Sequence, residues 1–137
     1  MKFPLEDILI LSSAMSFGAG VFFLYSYYVN KKANANLSIA PGTLEEQLVH
    51  LGKNYYEIGR EENSDTIKIN SKKVSRRHAI LRKKFGKFYI TDVSSTNGTF
   101  LNNRKIEPFE EYQLFNEDEI RIGGVMLKFY NLTNQSF

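Results

Sequence analysis

The chain of 137 residues is 42% hydrophobic and 14% aromatic, enough apolar material for one packed domain with an appendage and too much for a disordered polymer. It contains no cysteine and only two histidines, His50 and His78, which excludes a disulfide framework and a thiolate metal site, and no metal or other cofactor is expected. The net charge of +3 is unevenly laid out: Lys68, Lys72, Lys73, Arg76, Arg77, Arg82, Lys83, Lys84 and Lys87 stand between Thr66 and Thr91 without an acid, and Glu107, Glu110, Glu111, Glu117, Asp118 and Glu119 between Ile106 and Ile120 without a base, which predicts an electrically two-faced domain.

Ile8 to Val29 is a run of 22 residues without a charge. At about 1.5 Å per residue it spans roughly the 30 Å of a bilayer core, and it reads as a single transmembrane helix in contact with membrane lipid. Pro4, Glu6 and Asp7 suit the start of a helix, and Tyr25, Tyr27 and Tyr28 stand where an interfacial aromatic belt belongs. A signal peptide is the rival reading, with Ala33-Asn34-Ala35 as a small-x-small cleavage site, but its start would be net positive, whereas Glu6 and Asp7 oppose Lys2 here. Ser12, Ser16 and Gly20 recur at helical spacing, with Ala14 and Gly18 on a neighbouring stripe, and such small residues let other transmembrane helices approach closely. Lys31 and Lys32 outnumber Lys2 among the flanking bases, so the positive-inside rule places the C-terminal domain in the cytoplasm or on the topologically equivalent side of an organelle membrane.

Residues 1–30 are thus the N-terminal flank and the membrane helix. Residues 31–46, polar, small and broken by Pro41-Gly42, read as a linker, residues 47–132 as the folded domain and 133–137 as a tail. From Gln47 the periodicity changes to short strands. Gln47–Leu51 and Tyr55–Ile58 read as a hairpin across Gly52-Lys53-Asn54. Thr66–Ile69 and His78–Lys83 alternate apolar and polar, Phe85-Gly86-Lys87 turns the chain into Phe88–Thr91, and Phe100-Leu101, Ile120–Ile122 and Val125–Tyr130 follow, the last two joined at Gly123-Gly124. Many short strands with no amphipathic helix among them predict a β-sandwich, and the piece from about Gly42 onward is expected to fold without the helix.

Three motifs fall in loops between these strands. Gly59-Arg60 comes first, then Val74-Ser75-Arg76-Arg77-His78-Ala79, then Asp92-Val93-Ser94-Ser95-Thr96-Asn97-Gly98-Thr99. Arginine offers a planar fork of N–H donors that matches phosphate oxygens, and a serine hydroxyl adds a short rotatable donor beside it. In this order and spacing the motifs resemble those of the forkhead-associated (FHA) domain, over roughly residues 47–131. The resemblance implies an all-β, eleven-stranded sandwich whose loops at one end bind a threonine-phosphorylated protein or peptide. It also implies roles: Arg60 and Ser75 on the phosphate, Arg76 on the phosphate or the peptide backbone, Thr96 near the threonine methyl, and Asn97 on the peptide main chain. In the same resemblance His78 braces the loops, while Gly59 and Gly98 shape the backbone.

Catalysis finds no support, since no nucleophile elbow surrounds Ser75 and no pair of carboxylates is set for hydrolysis. Nucleic acid is the rival partner for the basic run with its interleaved Phe85, Phe88 and Tyr89, but strand alternation turns those rings largely into the core. Two functions remain: a membrane-anchored adaptor that recruits a phosphorylated protein, or a non-catalytic structural subunit of a larger membrane complex that uses the sandwich as a docking block.

Overall fold

The computed structural model describes residues 17–133 and is an all-β sandwich of eleven strands in two sheets, entered from a helix. The helix α1 covers Phe17–Lys32 and is followed by β1 (Ala35–Ile39), β2 (Gln47–His50), β3 (Tyr55–Gly59), β4 (Thr66–Lys68), β5 (Ala79–Lys84) and β6 (Lys87–Asp92). Then come β7 (Thr99–Leu101), β8 (Arg104–Lys105), β9 (Tyr112–Leu114), β10 (Glu119–Ile122) and β11 (Val125–Asn131). One sheet has the order β2-β1-β11-β10-β7-β8 and the other β4-β3-β5-β6-β9.

The core lies between the sheets and follows from period-2 alternation. Ala79 and Leu81 of β5 and Phe88 and Ile90 of β6 face Leu37, Ile120, Ile122, Leu127 and Phe129 from the other sheet, all 2% exposed or less. The rings of Phe88 and Phe129 meet at 5.3 Å between centroids, and each such side chain contributes about 1.5–3 kcal/mol when removed from water. Two hairpins are closed by two-residue turns whose central residues both have positive φ, Phe85-Gly86 (50° and 77°) and Gly123-Gly124 (54° and 80°). That handedness matches the twist of the strands they join.

The structure corrects the sequence reading in three places. Residues 31–46 are not a linker: Ala35–Ile39 is β1, paired along its length with β11 and with β2. Asn36 and Ser38 make this stretch look polar, yet they alternate with Ala35, Leu37 and Ile39, which are buried. Gln47–Leu51 and Tyr55–Ile58 are not a hairpin either, because β2 pairs with β1 in one sheet while β3 pairs with β4 and β5 in the other. The short edge strands β8 and β9 carry too little apolar pattern to be visible in the sequence.

Residues 8–16 of the expected membrane span lie outside the described residues, as do 134–137 of the tail. Among the described residues no helix is long and apolar enough to cross a membrane. The described helix has 16 residues and leaves Val21, Phe22, Phe23, Tyr25 and Tyr27 about half exposed or more. Its C-terminal end is seated on the β5–β6 turn. Asn30 Oδ1 accepts from the Gly86 N–H at 2.6 Å, and a Cβ on Gly86 would stand 2.5 Å from Val29 Cγ1. Inside the sheet, Lys83 is 6% exposed and donates from Nζ to the Ala33 carbonyl at 3.1 Å, so the first residue after the helix is held by the core.

A chain shortened to begin at Gly42 lacks β1 and strips β11 and β2 of their shared partner; it is expected to lose its cooperative urea transition, whereas one beginning at Asn34 keeps it. Leu37→Ala, at a fully buried position of β1, should lower unfolding free energy by about 2–5 kcal/mol in the same measurement.

Candidate functional site

The three motif loops converge at one end of the sandwich, at the C-terminal ends of β3 and β6 and the start of β5. The helix meets the opposite end, since β5 runs from the loop residue His78 to the turn at Phe85. Gly59 closes β3 directly under the second loop: a Cβ there would stand 2.1 Å from the Arg76 carbonyl oxygen. No other residue type fits without moving that backbone. The close approach lets the Arg60 N–H donate to Ser75 O at 3.1 Å and the Glu61 N–H to Arg76 O at 3.2 Å.

His78 is fully buried behind these loops. Its Nδ1 lies 3.1 Å from the Ser75 N–H and its Nε2 3.0 Å from the Gly98 carbonyl. An amide N–H only donates and a carbonyl only accepts, so the ring is the neutral tautomer with its proton on Nε2. Burial pushes its pKa below the ordinary 6.5, against the opposing pull of the Gly98 carbonyl and the Asp92 charge. Asp92, 1% exposed, organises the third loop: its carboxylate accepts from the Ser95 N–H at 2.9 Å, from Thr99 Oγ1 at 2.6 Å and from the Ser95 hydroxyl. Burial opposes its ionisation, but these hydrogen bonds and the nearby imidazole hold the carboxyl below its ordinary value of 3.8.

In front of this frame is an open groove of about 550 Å³ lined by Arg60, Glu61, Ser75, Arg76, Arg77, Ser94 and Thr96. The two neighbouring arginines are committed differently. Arg77 is locked onto Glu57 through two N–H donors at 2.9 and 3.1 Å, with Glu57 further held by Tyr55 and Asn63. Arg60 spends only its Nε, on Val74 O at 3.2 Å, and among the described residues no carboxylate pairs with Arg60 or Arg76. Glu62, a candidate neutraliser of Arg60 by its place in the sequence, instead meets Lys68 at 3.0 Å. Ser75 Oγ accepts from the Thr96 N–H at 3.0 Å, which ties the second loop to the third and turns both side chains toward the groove.

Arg60, Ser75, Arg76 and Thr96 are therefore brought together on one surface. Asn97 is turned aside from the groove wall and donates from Nδ2 to the Lys73 carbonyl at 2.7 Å. Gly98, buried with φ of 81°, lies against the Lys105 side chain and presents its carbonyl to His78. Two contributors were missed in the sequence. In the sequence Asp92 stood out only as the opening of the third motif, yet its carboxylate caps the turn that follows by accepting from the Ser95 N–H three residues on. Ser94, at φ of 61°, forms a wall of the groove and carried no signal.

Residues 56–123 match the FHA domain family, and with the sandwich around them they are an FHA domain. Glycogen accumulation regulator GarA of Mycolicibacterium smegmatis is 44% identical over 71 residues, which cover 52% of this chain and 42% of that protein. An oxoglutarate dehydrogenase inhibitor of Corynebacterium jeikeium is 42% identical over 73 residues, covering 53% and 48%. The match thus spans less than half the length of these curated relatives. Among solved structures, an FHA domain studied for phosphothreonine-dependent interactions superposes with a TM-score of 0.62 at 28% identity, covering 71% of this chain and 95% of that one. The FhaA FHA domain, complexed with the intracellular domain of Rv3910, gives 0.61 at 28%, covering 69% and 98%. The FHA domain is a binding module without catalytic activity of its own.

Because the native state holds His78 neutral with a lowered pKa, its stabilising contribution is complete above the ordinary value of 6.5. It is lost as pH falls through that value toward the depressed native one, where the unfolded chain binds the extra proton. The urea midpoint is expected to drop over this window in the wild type and to be flatter in His78→Gln. A further loss belongs to Asp92 and sets in only below 3.8.

Proposed function

We propose that the chain is a membrane-anchored adaptor that binds a threonine-phosphorylated protein through the Arg60–Ser75–Arg76 groove. The carrying observation is the division of labour among the arginines: Arg77 is neutralised by Glu57, while among the described residues no carboxylate pairs with the guanidiniums of Arg60 and Arg76, which line the groove with the Ser75 hydroxyl. A phosphate dianion placed there meets two cationic forks and a hydroxyl, and charge-assisted hydrogen bonds of this kind carry micromolar affinity once peptide contacts are added. Thr96, on the groove wall, is the residue to pack against the phosphothreonine methyl. Asn97, fixed by its amide nitrogen on Lys73, keeps its Oδ1 for a peptide N–H. The phosphothreonine-dependent interactions of a structural relative support the same ligand.

The anchor in this reading is the uncharged run Ile8–Val29, and the cytoplasmic side is assigned from Lys31 and Lys32. Support comes from the exposed apolar side chains of α1, which the sandwich leaves uncovered. The second reading, a docking subunit of a membrane complex, draws on that helix too, because a side chain added at Gly18 would meet nothing within 4 Å and leaves room for another helix.

Arg60→Ala and Ser75→Ala should each weaken binding of a phosphothreonine peptide by about 1.5–3 kcal/mol, the worth of a hydrogen bond to a charged group, with little change in melting temperature. Titration by fluorescence anisotropy, with the unphosphorylated peptide as control, checks this. Wild-type protein that is folded and ignores every phosphothreonine peptide would move the docking-subunit reading to the front.

A further inference from the structure

The β5–β6 turn sits in an unusual place relative to the helix. Phe85 is 56% exposed and lies 6.0 Å, ring to ring, from Phe22 of α1. Phe22 precedes Tyr27 by five residues, or about 7.5 Å of helix, so the turn reaches past the tyrosines and toward the apolar run that precedes them. It does so with a side chain that the local backbone disfavours. Phe85 has φ of 50°, a conformation suited to glycine or asparagine, and an exposed phenyl ring there gains nothing from the domain's own core. The turn is also prepared for a low-dielectric setting, since the Gly86 N–H at its tip is satisfied by Asn30 Oδ1. Beside it a concave surface of about 580 Å³ includes Lys87 and Phe115, the latter 60% exposed. Lys31 and Lys32 follow the tyrosines on the helix.

We propose that this end of the domain is a second bilayer contact: Phe85 enters the boundary between headgroups and acyl chains, and Lys87, Lys31 and Lys32 meet the phosphates of anionic phospholipids. The inference rests on the membrane reading above and adds to it a defined orientation. An aromatic ring placed about 5–10 Å into the boundary, with lysine stems reaching back to the headgroups, is the arrangement that amphipathic membrane-surface segments use. Since the groove of Arg60 and Ser75 is at the other end of β5, this contact points the groove away from the lipid.

The chain has no tryptophan, so Phe85→Trp introduces a single fluorescent reporter at the turn. Phe109→Trp is the control, because Phe109 is 70% exposed and its N–H is bonded to Asp92 O at the groove end. The full chain is reconstituted into phosphatidylcholine–phosphatidylglycerol vesicles with and without lipids brominated along the acyl chains. Trp at 85 is expected to emit at shorter wavelength than Trp at 109, to be quenched by shallow-brominated lipid and to be shielded from aqueous iodide, while Trp at 109 shows the reverse. If the protein floats with the vesicles but Trp at 85 is red-emitting and open to iodide, the contact is refuted and the anchor stands. If it does not float at all, the anchor and the contact fall together.

Discussion

The loop end of the sandwich is braced from behind by one buried imidazole. His78 accepts from the Ser75 amide on one side and donates to the Gly98 carbonyl on the other, so the buried ring supports the two loops that Ser75–Thr96 and Lys73–Asn97 join at the surface. Remove it and two backbone groups are left buried without partners, each at a cost of about 1–3 kcal/mol. The neutral form is essential, because a second ring proton would face the Ser75 N–H. Burial secures that form, and Asp92 is kept occupied by Ser95 and Thr99.

Charge is distributed with a similar economy. The sequence has a dense run of bases with two arginines side by side, and residue type alone does not tell them apart. In the fold, β3 brings Glu57 under Arg77, and Glu111 takes Lys84 at 2.6 Å, so part of the run is spent on the domain's own acids. On the groove itself, Arg60 and Arg76 meet no carboxylate among the described residues. At that opening an anion would meet two guanidiniums that need not first give up an ion-pair partner among the described residues.

Much of this was legible beforehand. Strands with a clean alternation, such as β5 and β6, and the glycine-marked turns at Phe85-Gly86 and Gly123-Gly124 can be read because each residue's local preference agrees with the fold. The three loop motifs could be placed because their order and spacing resemble those of the FHA domain. What escaped was whatever depends on distant partners. β1 owes its existence to strands at both ends of the chain, and β2 turns away from its sequence neighbour β3 to join β1. Which arginine would be free was likewise decided by Glu57 across the sheet, a fact with no local trace.

The junction between helix and sandwich sets how far the domain can wander. A flexible coil over residues 31–46 would have given a root-mean-square reach of about 20 Å, letting the groove sweep a hemisphere above its attachment. Instead only Ala33 and Asn34 separate α1 from β1; Ala33 is buried, and Asn34 is tied to Leu132 and Thr133 at the far end of the chain. The leash has no slack. Any tilt or rotation of the helix is passed to the Arg60–Ser75 groove as a lever passes it.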